Sequence, residues 1–243
     1  MVQNTNKWMI ATAVLAGLII GIAIGIGISQ LPFFKNATTT ASNEGSQKNA
    51  QVGQELPVTI ELLPVTDKDY TGGAKDPKIT IVEYSDPECP FCKMFHETLT
   101  EIIKTFPNDV KWVYRHLPLD IHPKAQREAV AMECAGELAG QEGFWKFLDR
   151  LMDVTPANNG LDPKELYTIA AFAKLDKTKF AECLDSTRYN AKITAQTDDA
   201  IKNGGNGTPF SVIFAPNGKM YPLKGYVEAA ELTRGVKALL EGK

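Results

Sequence analysis

The chain carries the sequence KITIVEYSDPECPFC at residues 78–92. Apolar residues alternate over its first half, which predicts a largely buried strand, and the Ser-Asp-Pro that follows is typical of a turn. Apolar residues then recur at helical spacing as far as Phe106, and alternation returns at 110–114. The pattern predicts a parallel, right-handed strand–helix–strand unit, and it places the motif Cys89-Pro90-Phe91-Cys92 where the strand enters the helix.

The motif has the chemistry of a redox pair. With Cys89 capping the helix, Pro90 falls at the first helical position, where its missing N–H costs nothing. The Cys89 sulfur then faces free backbone N–H groups and the positive end of the helix dipole, which lowers its pKa, while Cys92 is placed to resolve or re-form a disulfide. A zinc half-site would need a second ligand pair, and a static disulfide closing so short a loop would stabilise little. A redox role is therefore favoured.

Glu83 lies six residues before Cys89, on the same strand face as Ile79 and Ile81. One interpretation is a buried carboxylate under the active-site disulfide, with a raised pKa and a proton to exchange with Cys92. The other is a solvated glutamate at a strand end. The sequence leaves both open.

The histidines, His96, His116 and His122, show no metal-ligand spacing with other residues, and we expect them on helix or segment surfaces. The four cysteines do not form two Cys-x-x-Cys pairs either. The sequence therefore predicts neither a metal nor an organic cofactor.

The rest of the globular part is first helical and then β-rich. A helical pattern extends over 121–204 with breaks at Gly140, at 155–160 and at 175–176. A strand at 210–214, a hairpin turn at Asn217-Gly218, a second strand at 219–223 and a closing helix at 227–240 follow. A further strand is expected near 58–62.

These features together resemble the thioredoxin superfamily, and specifically the DsbA-like disulfide oxidoreductases. The resemblance is carried by Glu83, the Cys89–Cys92 motif, the helical insertion, and Gly207-Thr208-Pro209 before the hairpin. It covers about residues 57–243 and implies an α/β thioredoxin fold with a helical insertion at about 120–187.

The resemblance also implies roles for individual residues. Cys89 and Cys92 would be catalytic, with Glu83, Pro90 and Phe91 supporting them. The Thr208–Pro209 bond would be cis, facing the disulfide and offering backbone groups to a substrate strand.

Two departures from the family leave the direction of exchange open. Phe91 follows Pro90 where many members carry a histidine, which removes a cation near Cys89 and predicts a weaker oxidant. Thr208 stands before the proline as in disulfide isomerases, although no separate dimerisation domain is visible. A reductase, an isomerase or a non-catalytic tethered peptide-binding module are the alternatives.

Cys134 and Cys183 each lie on an apolar helix stripe. They are either buried free thiols or a disulfide that closes a loop of about 50 residues and stabilises by about 4 kcal/mol. Outside the cytoplasm pairing is favoured. Since some DsbA-like proteins carry a second disulfide in the helical domain, a structural bridge is predicted.

The N-terminal region, 1–35, predicts a membrane anchor. Residues 8–28 are uncharged and almost wholly apolar, long enough to cross a bilayer and longer than the core of a removable signal peptide. Gly17, Gly21 and Gly25 form a stripe that would suit a weak homodimer. Polar residues 36–56 predict a flexible linker. Flanking charges do not decide the orientation.

The chain of 243 residues is 44% hydrophobic and 23% charged, as in ordinary globular proteins, and its net charge of −3 gives no sign of a nucleic-acid partner. The sequence predicts a single-pass membrane protein with its catalytic domain on the extracytoplasmic side. It would exchange its disulfide with exported proteins that carry reactive cysteines, and a membrane redox partner would reoxidise it.

Overall fold

The structure, a computed structural model, describes residues 59–242. In chain order, the strands are β1 (Tyr70–Gly73), β2 (Ile79–Ser85), β3 (Val110–His116), β4 (Phe210–Phe214) and β5 (Met220–Lys224). The helices are α1 (Pro90–Thr105), α2 (Ala125–Val154), α3 (Glu165–Phe172), α4 (Lys177–Leu184), α5 (Asn190–Lys202) and α6 (Ala229–Leu240).

The strands form one five-stranded sheet in the order β1-β3-β2-β4-β5. β2 and β3 are parallel and joined by α1, which confirms the predicted strand–helix–strand unit. β1 joins β3, β4 joins β2 and β5 joins β4, all antiparallel. The predicted hairpin turns at Gly218, whose φ of +77° suits glycine. The end of β2 therefore lies between β3 and β4.

Alternate residues of β2 face two hydrophobic cores. Ile79 and Ile81 lie in the larger core, with residues of α1 and α6. Val82 lies in the smaller core, together with Ala200 of α5. Side chains alternate along a strand, so Glu83 shares the face of Ile79 and Ile81, towards α1.

The helical insertion consists of α2, α3 and α4. α2 is interrupted at Ala139 and Gly140, where the φ of Gly140 is +63°, which confirms the predicted break. Phe144, Phe147 and Phe180 of the insertion belong to the same core as the α1 face of the sheet. The insertion is thus packed onto the sheet through one continuous apolar interior.

The first strand is where the sequence prediction was wrong. Residues 59–62 are not a strand, and β1 is instead Tyr70–Gly73. Gly73 has a φ of +84°, and a Cβ there would lie 2.3 Å from the carbonyl oxygen of Val110. Two glycines at the end of β1 give a weak strand signal, yet this close approach requires one of them.

The buried guanidinium of Arg115 holds the segment before β1 in place. Its Nη2 donates to the carbonyl oxygens of Leu63 (3.0 Å) and Pro64 (3.2 Å), and its Nε donates to Asp69 Oδ1 at 3.0 Å. Its Nη1 donates to the Asp199 carboxylate of α5 at 3.1 Å. The chain from 63 to 69 is therefore held against β3 and α5.

The predicted membrane helix at 8–28 and the predicted linker at 36–56 lie outside the described residues. Among residues 59–242, no helix combines the length and apolar character needed to cross a membrane.

Candidate active site

Cys89 caps the N-terminus of α1. Its φ and ψ of −81° and 123° are extended, and Pro90 is the first residue of the helix, as the sequence predicted. The next residue, Phe91, is half-buried. Because the N–H groups at a helix start have no partner within the helix, they are free to face the Cys89 sulfur.

The two thiols of the motif have opposite properties. The pKa of Cys89 is lowered to about 6, first by the Cys92 thiol and then by Thr208 and the backbone N–H groups of Cys92 and Phe91, against the effect of burial. The pKa of Cys92, which is wholly buried, is raised by that burial and by the neighbouring Cys89 sulfur. At neutral pH, Cys89 is thus a thiolate and Cys92 a thiol.

A buried aspartate builds the turn that carries Cys89. The Asp86 carboxylate accepts from the backbone N–H groups of Glu88 and Leu119, each at 2.8 Å, and pairs with His122 Nδ1 at 2.9 Å. The backbone N–H of Asp86 also donates to the Cys92 sulfur at 3.4 Å. The sequence pattern predicts Asp86 only as part of a turn. Two of its partners, Leu119 and His122, come from a distant segment, which local patterns do not reveal.

Glu83 is completely buried, which settles the two interpretations left open by the sequence. Its Oε2 accepts a hydrogen bond from Trp112 Nε1 at 2.9 Å. Burial raises the pKa of Glu83 to about 7. The Glu83 charge in turn contributes to the raised pKa of Cys92. The carboxyl group can therefore exchange a proton near neutral pH beside the buried thiol. Trp112 was missed because only strand pairing brings it here.

Thr208 and Pro209 lie beside the motif, as the sequence predicted. The peptide bond between them is cis, and the Cys89 sulfur lies 3.5 Å from the Thr208 carbonyl oxygen. The carbonyl oxygen of Pro209 accepts from the N–H of Gly225 at 2.8 Å, which fixes the start of β4 next to the end of β5. The site thus brings together four groups: a nucleophilic sulfur, a buried thiol, a proton-exchanging carboxyl and the backbone of Thr208 and Pro209.

Residues 66–228 match the sequence profile of the thioredoxin family, more than half of the chain. The chain belongs to this family. The α/β fold with a helical insertion that the sequence predicted is thereby confirmed.

Solved structures show which thioredoxin-fold proteins this chain is similar to. DsbA2 of Pseudomonas aeruginosa is 30% identical, with a TM-score of 0.60 over 74% of this chain and 97% of that one. BdbD of Bacillus subtilis is 23% identical, with a TM-score of 0.62 over 80% and 100% of the two chains. The catalytic domain of Proteus mirabilis ScsC, also 23% identical, has a TM-score of 0.60 over 72% and 91%. The last two show the fold alone. The motif, the family profile and the likeness to DsbA2 identify a DsbA-like thiol–disulfide oxidoreductase, as predicted.

Curated relatives of this thioredoxin-family chain include longer proteins. The Na(+)/H(+) antiporter NhaA 1 of Salinispora arenicola is 36% identical over 171 residues, which are 69% of this chain and 24% of the antiporter. NhaA of Herminiimonas arsenicoxydans is 29% identical over 197 residues, 81% of this chain and 30% of that protein. The chain therefore spans about a quarter of the length of such relatives.

The second cysteine pair of this family member forms a disulfide between α2 and α4. Cys134 and Cys183 have Cα atoms 5.8 Å apart and are both buried. Cys89 and Cys92 are free thiols in the same structure. The bridge lies within the insertion and ties its helices together.

The expectation for the three histidines was wrong. His96, His116 and His122 are all buried, and each has a carboxylate partner, at 2.9 Å, 3.0 Å and 2.9 Å respectively. The partners are Asp149, Glu133 and Asp86, which lie on other elements of the fold. Within residues 59–242, no group of side chains could hold a metal ion.

Proposed function

We propose that this thioredoxin-family protein is a membrane-anchored oxidoreductase that donates its Cys89–Cys92 disulfide to exported proteins on the extracytoplasmic side of the membrane. The opposite pKa shifts of Cys89 and Cys92 carry the proposal. A thiolate that the protein stabilises lowers the free energy of the reduced state, so the disulfide is readily given up.

The reaction uses the groups of the site in turn. A substrate thiolate attacks the Cys89 sulfur, the bond to Cys92 breaks, and Cys92 takes the electron pair and a proton from the Glu83 carboxyl. The second thiolate of the same substrate then attacks the substrate sulfur of the mixed disulfide and releases Cys89 as a thiolate. The substrate loses two electrons and gains a disulfide, and the enzyme becomes a dithiol.

Regeneration needs an acceptor for these two electrons. A membrane redox partner would reoxidise the dithiol, in keeping with the anchor proposed for the chain. The glycine stripe of that anchor, Gly17, Gly21 and Gly25, would also allow a weak homodimer.

Two features support the proposed location. Residues 8–28 are long and apolar enough to span a bilayer, and residues 36–56 would give the catalytic domain reach from its surface. The Cys134–Cys183 disulfide is of the kind that persists in oxidising compartments.

The midpoint potential tests the direction of exchange. The full-length chain is equilibrated in graded glutathione buffers, its thiols are alkylated, and labelled Cys89 and Cys92 are counted by mass spectrometry. We expect a midpoint above about −200 mV, whereas about −270 mV would indicate a reductase. Cys92→Ser, which cannot close the disulfide, provides the baseline.

The location is tested separately in intact cells. After brief reduction of the cells, which opens the Cys89–Cys92 disulfide, a membrane-impermeant maleimide should label Cys89, and the protein should remain in the membrane after alkaline carbonate washing. Leu18→Arg, which puts a charge in the middle of the apolar stretch, should release it. Failure of the reagent to reach Cys89 until the cells are lysed would contradict the extracytoplasmic assignment.

A further inference from the structure

Directly before the reactive cysteine lies a buried carboxylate that the exchange reaction does not use. Glu88 is wholly inaccessible to solvent, and neither of its carboxylate oxygens has a hydrogen-bond donor among residues 59–242. A buried carboxylate without hydrogen-bond donors costs free energy, so the side chain that interacts with it affects the stability of the turn.

That side chain is another carboxyl group. Glu128, in the first turn of α2, is 2% exposed, and its carboxyl group interacts with that of Glu88. Its Oε2 also lacks a donor among the described residues. Two carboxylates so close together cannot both be ionised, and one shared proton would give each of them a partner.

The charged groups around the pair have other partners. Lys124 Nζ donates to the carbonyl oxygens of Asn159 and Leu161, each at 2.6 Å. His122 pairs with Asp86 at 2.9 Å. The loop 155–161, which packs here, carries no charged side chain. Burial raises the pKa of Glu128 to about 9, and the Glu88 carboxyl and the charge of Asp86 add to this increase. The charge of Lys124 acts in the opposite direction.

The pair also joins the active-site turn to the helical insertion. The backbone N–H of Asn158 donates to the Glu88 carbonyl oxygen at 2.7 Å, while Glu128 meets the Glu88 side chain. Lys93 of α1 adds a third link, with its Nζ 2.8 Å from the Thr155 carbonyl oxygen. Glu88 is thus held through both its backbone and its side chain.

We propose that Glu88 and Glu128 share one proton and act as positioning residues for thiol–disulfide exchange. The shared proton fastens the active-site turn to α2, and it limits the pair to a single negative charge beside Cys89. With the proton present, the pair bears a single negative charge next to the Cys89 thiolate. Without it, two charges would repel each other and oppose the thiolate. The proposal rests on the exchange reaction, because the charge matters only if the Cys89 thiolate reacts.

The shared proton is tested through the pH dependence of stability in the full-length reduced chain. Glu128→Gln keeps the shape and can donate to Glu88 but has no proton to lose. A raised pKa in the folded state stabilises the fold at low pH, and this contribution is lost as pH rises to the folded pKa. Relative to Glu128→Gln, the unfolding equilibrium constant of the wild type should therefore rise up to about tenfold per pH unit between about pH 5 and 9.

Glu142→Gln is the matched control on the same helix, because Glu142 is exposed and pairs with Lys146 at 2.7 Å. It should lack the steep dependence. If Glu128→Gln fails to fold, infrared spectra of Glu83→Gln decide, because that variant lacks the Glu83 proton: a protonated carboxyl band should be present at pH 7 and lost by pH 10. Parallel stability curves, or no such band, would overturn the shared proton.

The positioning role needs a redox readout. In Glu88→Gln/Glu128→Gln the pair has no charge, so the thiolate fraction of Cys89 at pH 5, read from ultraviolet absorbance, should rise about threefold or more. The glutathione equilibrium should shift towards the dithiol. An unchanged thiolate fraction would reduce the pair to a structural contact. If the wild-type motif never cycles, the proposed function fails instead, whatever the carboxyl pair does.

Discussion

The Cys89 sulfur lies 3.5 Å from the carbonyl oxygen of Thr208, although 119 residues separate the two in the chain. Thr208 directly precedes Pro209 and β4, so the start of this strand borders the reacting sulfur. Residues that the sequence places far apart therefore control the same thiol. Substitutions at Thr208 should therefore change the pKa of Cys89.

Thr208→Val should raise the pKa of Cys89 above about 6, because the Thr208 side chain contributes to lowering it. The thiolate absorbance at pH 6 should fall, and the glutathione equilibrium should move towards the disulfide. Thr208→Ser keeps the hydroxyl and should behave as the wild type. Equal titration curves for the Val and Ser variants would show that the hydroxyl plays no part.

Substitution of Cys89 and substitution of Cys92 should block exchange at different steps. Cys89→Ser should abolish exchange, because it removes the attacked sulfur. Cys92→Ser should accumulate a mixed disulfide on Cys89, because the buried partner thiol that reverses it is missing. Non-reducing gels and mass spectrometry after incubation with a disulfide-bonded substrate, whose disulfide the Cys89 thiolate attacks, distinguish the two. A mixed disulfide on Cys92 in the Cys89→Ser variant would contradict the assignment.

Glu83→Gln should change both stability and exchange. The pKa of Glu83 is raised to about 7 in the folded state, so its contribution to stability is present at low pH and lost as pH rises towards 7. Between about pH 4.5 and 7, urea unfolding should show the reduced wild type losing ~3 kcal/mol relative to the variant.

Exchange by Glu83→Gln should also slow by about tenfold or more above pH 7, since no carboxyl remains to exchange a proton with Cys92. Trp112→Phe is the companion variant: it removes the indole donor, so it should move the Glu83 titration to higher pH without abolishing it. A Glu83→Gln enzyme with the wild-type pH–rate profile would remove Glu83 from the mechanism.

Removing the second disulfide should affect stability alone. Cys134→Ala/Cys183→Ala opens a loop with a sequence separation of 49, which the chain-entropy treatment equates with about 4 kcal/mol of unfolding free energy. Exchange by Cys89 and Cys92 should persist at temperatures where the variant is folded. Loss of exchange in a folded variant would point to a shuttling role for this pair.

The sequence predicted features that depend on local pattern. The strand–turn–helix at Cys89 rests on apolar spacing and a proline, and the break at Gly140 rests on a glycine in a helical pattern. Each signal lies within a few residues of the feature it predicts. For this reason the motif and the helical insertion were found correctly.

Features that depend on distant partners were missed. The surroundings of His96 depend on Asp149, 53 residues away, and those of His122 on Asp86, 36 residues away. β1 depends on its pairing with β3, since it has only four residues and two of them are glycines, which are depleted in strands. Tertiary contacts decide such positions, and no local rule contains them.

The hydrogen bonds from Arg115 to the segment before β1 determine where a shortened form of the protein can begin. A chain starting at Thr66 would lose the Leu63 and Pro64 carbonyl groups and leave a buried guanidinium short of acceptors, at a cost of about 1–3 kcal/mol. Glu61, whose N–H donates to Asn203 Oδ1 at 2.7 Å, is held as well. A crystallisable fragment should therefore start upstream of Glu61, well before the first strand.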